Sequence, residues 1–123
     1  MTHFRFEDLE IWQLACEMAA ECHKVADRLE QPKLYRYAEQ LRAAGLSVSN
    51  NIAEGSGSLH NAEFRQFLNI ARRSDFESAS MLHVFRKLDI LTEDETNALL
   101  DRCDELSRKI VNYGKSLPPD GRR

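Results

Sequence analysis

The sequence predicts an all-α protein, a single antiparallel up-down-up-down four-helix bundle, and three observations carry that expectation. Four segments repeat apolar residues at helical spacing, and none shows the period-two alternation of a half-buried strand. The breaks between them are short, which makes consecutive helices antiparallel neighbours. The chain has 123 residues, 42% apolar and 30% charged, the size of one domain with one core. The bundle is expected over residues 1–117, with helices at about 7–29, 33–54, 60–88 and 93–117, and residues 118–123 as a disordered tail.

The first helix carries Leu9, Ile11, Trp12, Leu14, Cys16, Met18, Cys22, Val25 and Leu29, with interspersed alanines. At 100° per residue these spread over about 200°, wider than the stripe of about 100° that a surface helix needs. Pro32 is placed to start the second helix, whose seam runs Leu34, Ala38, Leu41, Gly45, Val48, Ile52 in steps of four and three. Gly55-Ser56-Gly57-Ser58 reads as a glycine-rich stop. The third helix follows Phe64, Phe67, Leu68, Ala71, Ser78, Met81, Leu82 and Phe85, and leaves Phe76 roughly 160° from that stripe. Thr92-Glu93-Asp94-Glu95 is a capping box. The fourth helix keeps one narrow stripe through Thr96, Leu99, Cys103, Leu106, Ile110, Tyr113 and Leu117 until Pro118-Pro119 stops it.

Composition argues against several functions. Net charge is −3, so the molecule is no polycation, although residues 1–30 sum to −4, residues 31–91 to +2 and residues 92–123 to −1. Arginine outnumbers lysine 12 to 5, which suits bidentate pairing with carboxylate or phosphate. No apolar run reaches the roughly 18 residues of a membrane span, and the first residues lack a secretory pattern, so the expected address is the cytoplasm. Cys16, Cys22 and Cys103 lie on apolar faces and read as thiols in packing roles. The histidines make no Glu-x-x-His pair of the kind a di-iron bundle requires, and Gly55-Ser56-Gly57 lacks the ending of a phosphate loop. No catalytic residue, metal or cofactor is therefore expected. Arg36 and Arg42 on the second helix, with Arg65, Arg72 and Arg73 on the third, are candidate nucleic-acid contacts, set against the plainer reading of a solvated, salt-bridging face.

Two stretches carry a resemblance. Gln40-Leu41-Arg42-Ala43-Ala44-Gly45-Leu46-Ser47-Val48-Ser49-Asn50-Asn51-Ile52-Ala53-Glu54-Gly55 is one. Glu63-Phe64-Arg65-Gln66-Phe67-Leu68-Asn69-Ile70-Ala71-Arg72-Arg73-Ser74, running on to Glu77, is the other. With the opening Phe6-Glu7-Asp8-Leu9-Glu10-Ile11-Trp12, they resemble the bacterial four-helix-bundle proteins named for the intervening sequences of 23S ribosomal RNA genes. The resemblance implies a homo-oligomer, a pentamer in related members, of unknown function and with no established enzymatic activity. It also implies kinship with the basic accessory variability proteins of diversity-generating retroelements, which bind nucleic acid; this chain is acidic. Ala43, Arg73 and His60 depart from the arginine, glycine and serine usual in the family.

The motif residues Gln40, Arg42, Ser47, Asn51, Ile52, Ala53, Glu54, Gly55, Glu63, Phe64, Ala71, Ser74 and Glu77 also have a physical reading as a folding element. Folding the two helices about Gly55 and Gly57 sets Ala44 near Ala71, Ser47 near Leu68 and Leu41 near Ser74. Asn51 and Glu54 are then expected to satisfy free amides at the start of the third helix. The apolar excess of the first helix, with Ile11, Leu14, Met18 and Val25, and the outlying Phe76 are expected to meet further copies of the chain. The function so indicated is a non-enzymatic homo-oligomeric scaffold or adaptor. The alternative is a nucleic-acid-binding accessory protein, with RNA or DNA as partner.

Overall fold

The four expected helices are present, with their ends displaced by a few residues. The computed structural model describes residues 1–121. Arg5–Asp8 makes one 3-10 turn, followed by α1 (Glu10–Glu30), α2 (Tyr35–Ser56), α3 (Asn61–Lys87) and α4 (Glu93–Ser116). Each helix packs antiparallel on the next and α4 returns to α1, which closes the up-down-up-down bundle.

The turns use residues other than those the sequence suggests. Pro32 lies within a turn rather than starting α2. Lys33 takes φ 65° and Asp89 φ 59°. Beyond them the Leu34 amide bonds Leu29 O and the Ile90 amide bonds Phe85 O, both at 2.9 Å. That six-to-one bond past a left-handed residue closes the last carbonyls of α1 and α3. No glycine has positive φ, and Gly57 ends α2 at φ −83°. The glycine-rich stretch therefore supplies close approach, not an unusual backbone. The capping box at α4 forms as read: Glu95 N donates to Thr92 Oγ1 (3.1 Å) and Thr92 N to Glu95 Oε1 (2.9 Å).

The wide apolar arc of α1 is used inside the chain, and this corrects the expectation placed on it. Ile11, Met18 and Val25 are buried, together with Ala15, Cys22, Ala26 and Leu29. Leu14 and Trp12 are half-buried on the flanks of that stripe. A helix at the corner of a bundle touches a neighbour on each side, so positions beside the central stripe are covered too. α2 comes especially close, because a Cβ on Gly45 would stand 3.0 Å from Cys22 Cβ. Three of the five residues proposed to meet other copies are thus unavailable for that role.

The acidic first segment also finds its partners within the fold. Arg42 of α2 bonds Asp27 (2.6 Å) and Glu30 (2.9 Å). From α4, Lys109 reaches Glu10 (3.1 Å), and Arg102 lies 3.4 Å from Glu21. Arg28 joins Glu95 at 2.6 Å. Such largely exposed pairs contribute little to stability.

Both chain ends close over the α2–α3 turn. Arg5 sits 5.2 Å above the Phe64 ring and bonds Ser56 O. From the other end, Asp120 accepts from the Asn61 amide (2.5 Å) and the Ala62 amide (3.1 Å), while Asn61 Nδ2 donates to Pro118 O. Residues expected to be a frayed tail from Pro118 thus include the cap of α3; Arg122 and Arg123 lie outside the described residues.

Candidate interaction surface

The motif residues gather along one seam, between α2 and α3. Ser47 and Ser74 share a hydrogen bond of 2.8 Å across it, and Gln40 Nε2 donates to Glu77 Oε2 at 3.4 Å. The register therefore differs from the expected one: Ser47 faces Ser74 rather than Leu68. α2 runs on to Ser56 and a four-residue connection follows, which slides α3 along its neighbour. Ile52, Phe64 and Ala71 are buried in the core. Ala53 is half-buried and its carbonyl accepts from Ser56 Oγ (2.8 Å).

The capping role expected of Asn51 and Glu54 falls to other residues. Asn51 Nδ2 donates to Ser47 O (2.8 Å) and Ser47 Oγ (3.0 Å), within its own helix. Glu54 is exposed. His60, at the N-cap, makes no side-chain cap bond. Ser58 bonds Glu63 at 2.5 Å, and the first two amides of α3 go to Asp120. Those amide bonds hold the Asp120 carboxyl below its ordinary value. Such a carboxylate contributes stability above its ordinary value of 3.8, and the contribution disappears as pH falls through the lowered one. Asp120→Ala is accordingly expected to lower the unfolding temperature at pH 7 and to match the parent in strong acid. Glu54→Ala should leave it unchanged, as thermal melts at both pH values will show.

Beside the seam's hydrogen bonds the surface exposes apolar side chains among charged ones such as Arg73 and Glu77. Tyr37 of α2 and Ile70 and Val84 of α3 are 43%, 42% and 45% exposed. Tyr37, Gln40, Met81 and Val84 line a shallow groove of about 260 Å³. Sequence reasoning passed over Tyr37, Ile70 and Val84. Ile70 and Val84 stand fourteen residues apart, nearly four turns, so they repeat on one face of α3 beside the core stripe. Phe76 is exposed as expected, but the Arg72 guanidinium stacks 4.6 Å from its ring centre.

The five candidate phosphate contacts do not converge on one face. Arg42 turns to the carboxylates of α1. Arg65 donates to Leu117 O (3.3 Å) and Arg72 to Ser107 Oγ (3.1 Å), both toward α4. Arg36 and Arg73 are exposed, with no ion pair among the described residues. The α3–α4 groove beside Arg65 and Arg72 holds about 270 Å³ and is floored by Leu68, Ile110 and Val111.

Among the described residues no three His, Cys, Asp or Glu side chains converge as metal ligands, and no helix is long and apolar enough to cross a membrane. The three cysteines are free thiols, with Cys22 and Cys103 buried.

Residues 7–112 match the family model described as 23S rRNA-intervening sequence protein. Among solved structures, the fold is similar to a protein with unknown function from the S23 ribosomal protein family of Bacteroides thetaiotaomicron. The TM-score is 0.80 at 20% identity, covering 86% of this chain and 99% of that one. No curated protein matches the chain.

Proposed function

We propose that this chain, which belongs to the 23S rRNA-intervening sequence protein family, serves as a non-enzymatic homo-oligomeric scaffold or adaptor in the cytoplasm. The observation that supports this reading is the outer α2–α3 face, where Tyr37, Ile70 and Val84 stand in water around the Ser47–Ser74 and Gln40–Glu77 pairs. Contiguous apolar surface left in water marks interaction sites, and Tyr37 and Val84 border one groove on this face. Polar pairs between them would set the register of a second copy. The family resemblance implies five copies. The interface moves from α1, whose stripe is buried, to this seam, and Phe76 remains a flanking candidate.

Nucleic-acid binding is the weaker reading. It rests on Arg36 and Arg73, the two candidate arginines without an ion partner, and two cations give weak, salt-sensitive attachment.

Light scattering at micromolar concentration should report a mass several times 14.2 kDa. Ile70→Glu with Val84→Glu should lower that mass while leaving the helical signal unchanged, because both sites are surface positions. A monodisperse 14.2 kDa parent would overturn the oligomer. In the same preparation, structured RNA and DNA should produce no shift near physiological salt. Micromolar binding lost on Arg73→Glu would favour the accessory-protein reading instead.

A further inference from the structure

Asp75 is the buried carboxylate of this bundle. It is 1% exposed, and neither of its oxygens has a hydrogen-bond partner among the described residues. Its neighbours explain why none is available. On α3, the Ser78 hydroxyl donates to Ser74 O (3.1 Å) instead. The nearest cation on that helix, Arg72, is held by Ser107 and stacked on Phe76. α4 presents the Cys103 thiol, a weak donor, and the like charge of Asp104. α1 presents the Cys22 thiol, with Glu21 beside it, and α2 meets that thiol through the uncharged Gly45.

An ionised carboxylate sealed beside no donor stronger than a thiol is costly, whereas the neutral acid is tolerated. Burial is the main cause that lifts the Asp75 carboxyl from 3.8 to about 7; Asp104 adds to it, while Cys103 and Arg72 oppose it. Between the helices lies a cavity of about 180 Å³ bordered by Asp75, Phe76, Leu100 and Cys103. It opens beside Asp75, whose carboxylate oxygens remain out of contact with solvent. Water therefore reaches the charge only when α4 moves. That helix is the least firmly held, because it packs mainly on α3 and lightly on α1, and the exposed ion pairs bordering the α1 contact add little.

We infer that Asp75 is kept as the neutral acid in the folded bundle and works as a proton-sensitive latch, whose ionisation loosens α4 from α3. In the unfolded chain the carboxyl ionises near 3.8 and in the fold near 7. Between those values the fold holds one proton more than the unfolded chain. Stability contributed by the neutral acid is complete below 3.8 and is lost as pH rises toward 7, by up to about tenfold in the folding constant per pH unit.

Two measurements test the latch. The carbon-13 resonance of the Asp75 carboxyl, assigned by its absence in Asp75→Asn, should titrate near neutrality. A midpoint at the ordinary carboxylate value overturns the inference. Urea unfolding of the parent relative to Asp75→Asn should weaken by roughly a hundredfold in the folding constant between about pH 5 and about pH 8. Over the same range, hydrogen exchange of α4 amides, corrected for intrinsic rate, should accelerate more than that of α1 and α2 in the parent alone. Parallel pH profiles in the two proteins would also overturn it. If the variant does not fold, the carboxyl titration in the parent, assigned from its backbone connectivity, decides the matter.

Discussion

Truncating Phe64 to alanine is expected to cost the bundle about 3–5 kcal/mol. The ring is 1% exposed and stands where α2, α3, α4 and the first turn meet. It meets the Tyr113 ring of α4 at 5.7 Å and lies beneath the Arg5 guanidinium at 5.2 Å. It also lies against the backbone of Gly55. The cavity left behind has little means of collapsing, because α2 and α3 are already in contact there. Urea unfolding should show the loss as a lower midpoint with an unchanged slope. Phe76→Ala, on the exposed side of the same helix, should stay within about 1 kcal/mol of the parent. A similar cost at both positions would mean that the bundle end is loosely packed.

The second large effect is expected at Gly55. A Cβ there would stand 2.7 Å from Phe64 Cδ1 and 2.7 Å from Phe67 Cβ. The first contact could yield by ring movement, but the second atom is fixed to the α3 backbone, so the helices must separate. Overpacking of this kind costs roughly 1–3 kcal/mol. Gly55→Ala should therefore be destabilising even though alanine recovers about 1 kcal/mol as the better helix former, and larger side chains should be worse. Gly57→Ala makes the contrast. Its φ is −83° and its nearest neighbour would be 3.4 Å away, so the change should be neutral or stabilising by up to about 1 kcal/mol. Thermal melts of the two variants side by side will separate close approach from turn conformation.

Both residues belong to the stretches that carry the family resemblance, and both act in folding. Arg42 joins α2 to α1, Ser47 pairs with Ser74, and Ile52 and Ala71 fill the core. The same stretches place Ile70 on the surface beside that seam. One sequence motif thus builds the joint between α2 and α3 and sets which of its side chains remain on the surface.

The helices were legible in the amino-acid order, because the apolar period is a local property and each stripe marks the side that must leave water. That order also contained Asp75. Phe64, Leu68, Ala71, Asp75, Ser78, Leu82 and Phe85 follow one another in strict steps of four and three. The stripe read from the sequence passed over Asp75 because it followed apolar and small residues, although the place of Asp75 in that progression is the signal of a buried charge. The Thr92–Glu95 cap was legible, since all its partners lie within four residues.

Where residues distant in sequence meet depends instead on the packing of the helices. The width of the apolar arc on α1 suggested a second interface, but its flanks are covered by α2, α4 and the first turn. The cap of α3 comes from Asp120, 59 residues away from Asn61. The pairing of Ser47 with Ser74 depends on the length of α2 and of the connection after it. The arginines of the middle segment turn to α1 and α4 or outward according to their angle on each helix, so a count of charges along the chain did not reveal their partners. Helix formation depends on neighbours within one turn, whereas register, capping at a distance and the choice of exposed face depend on how the helices slide and rotate against one another.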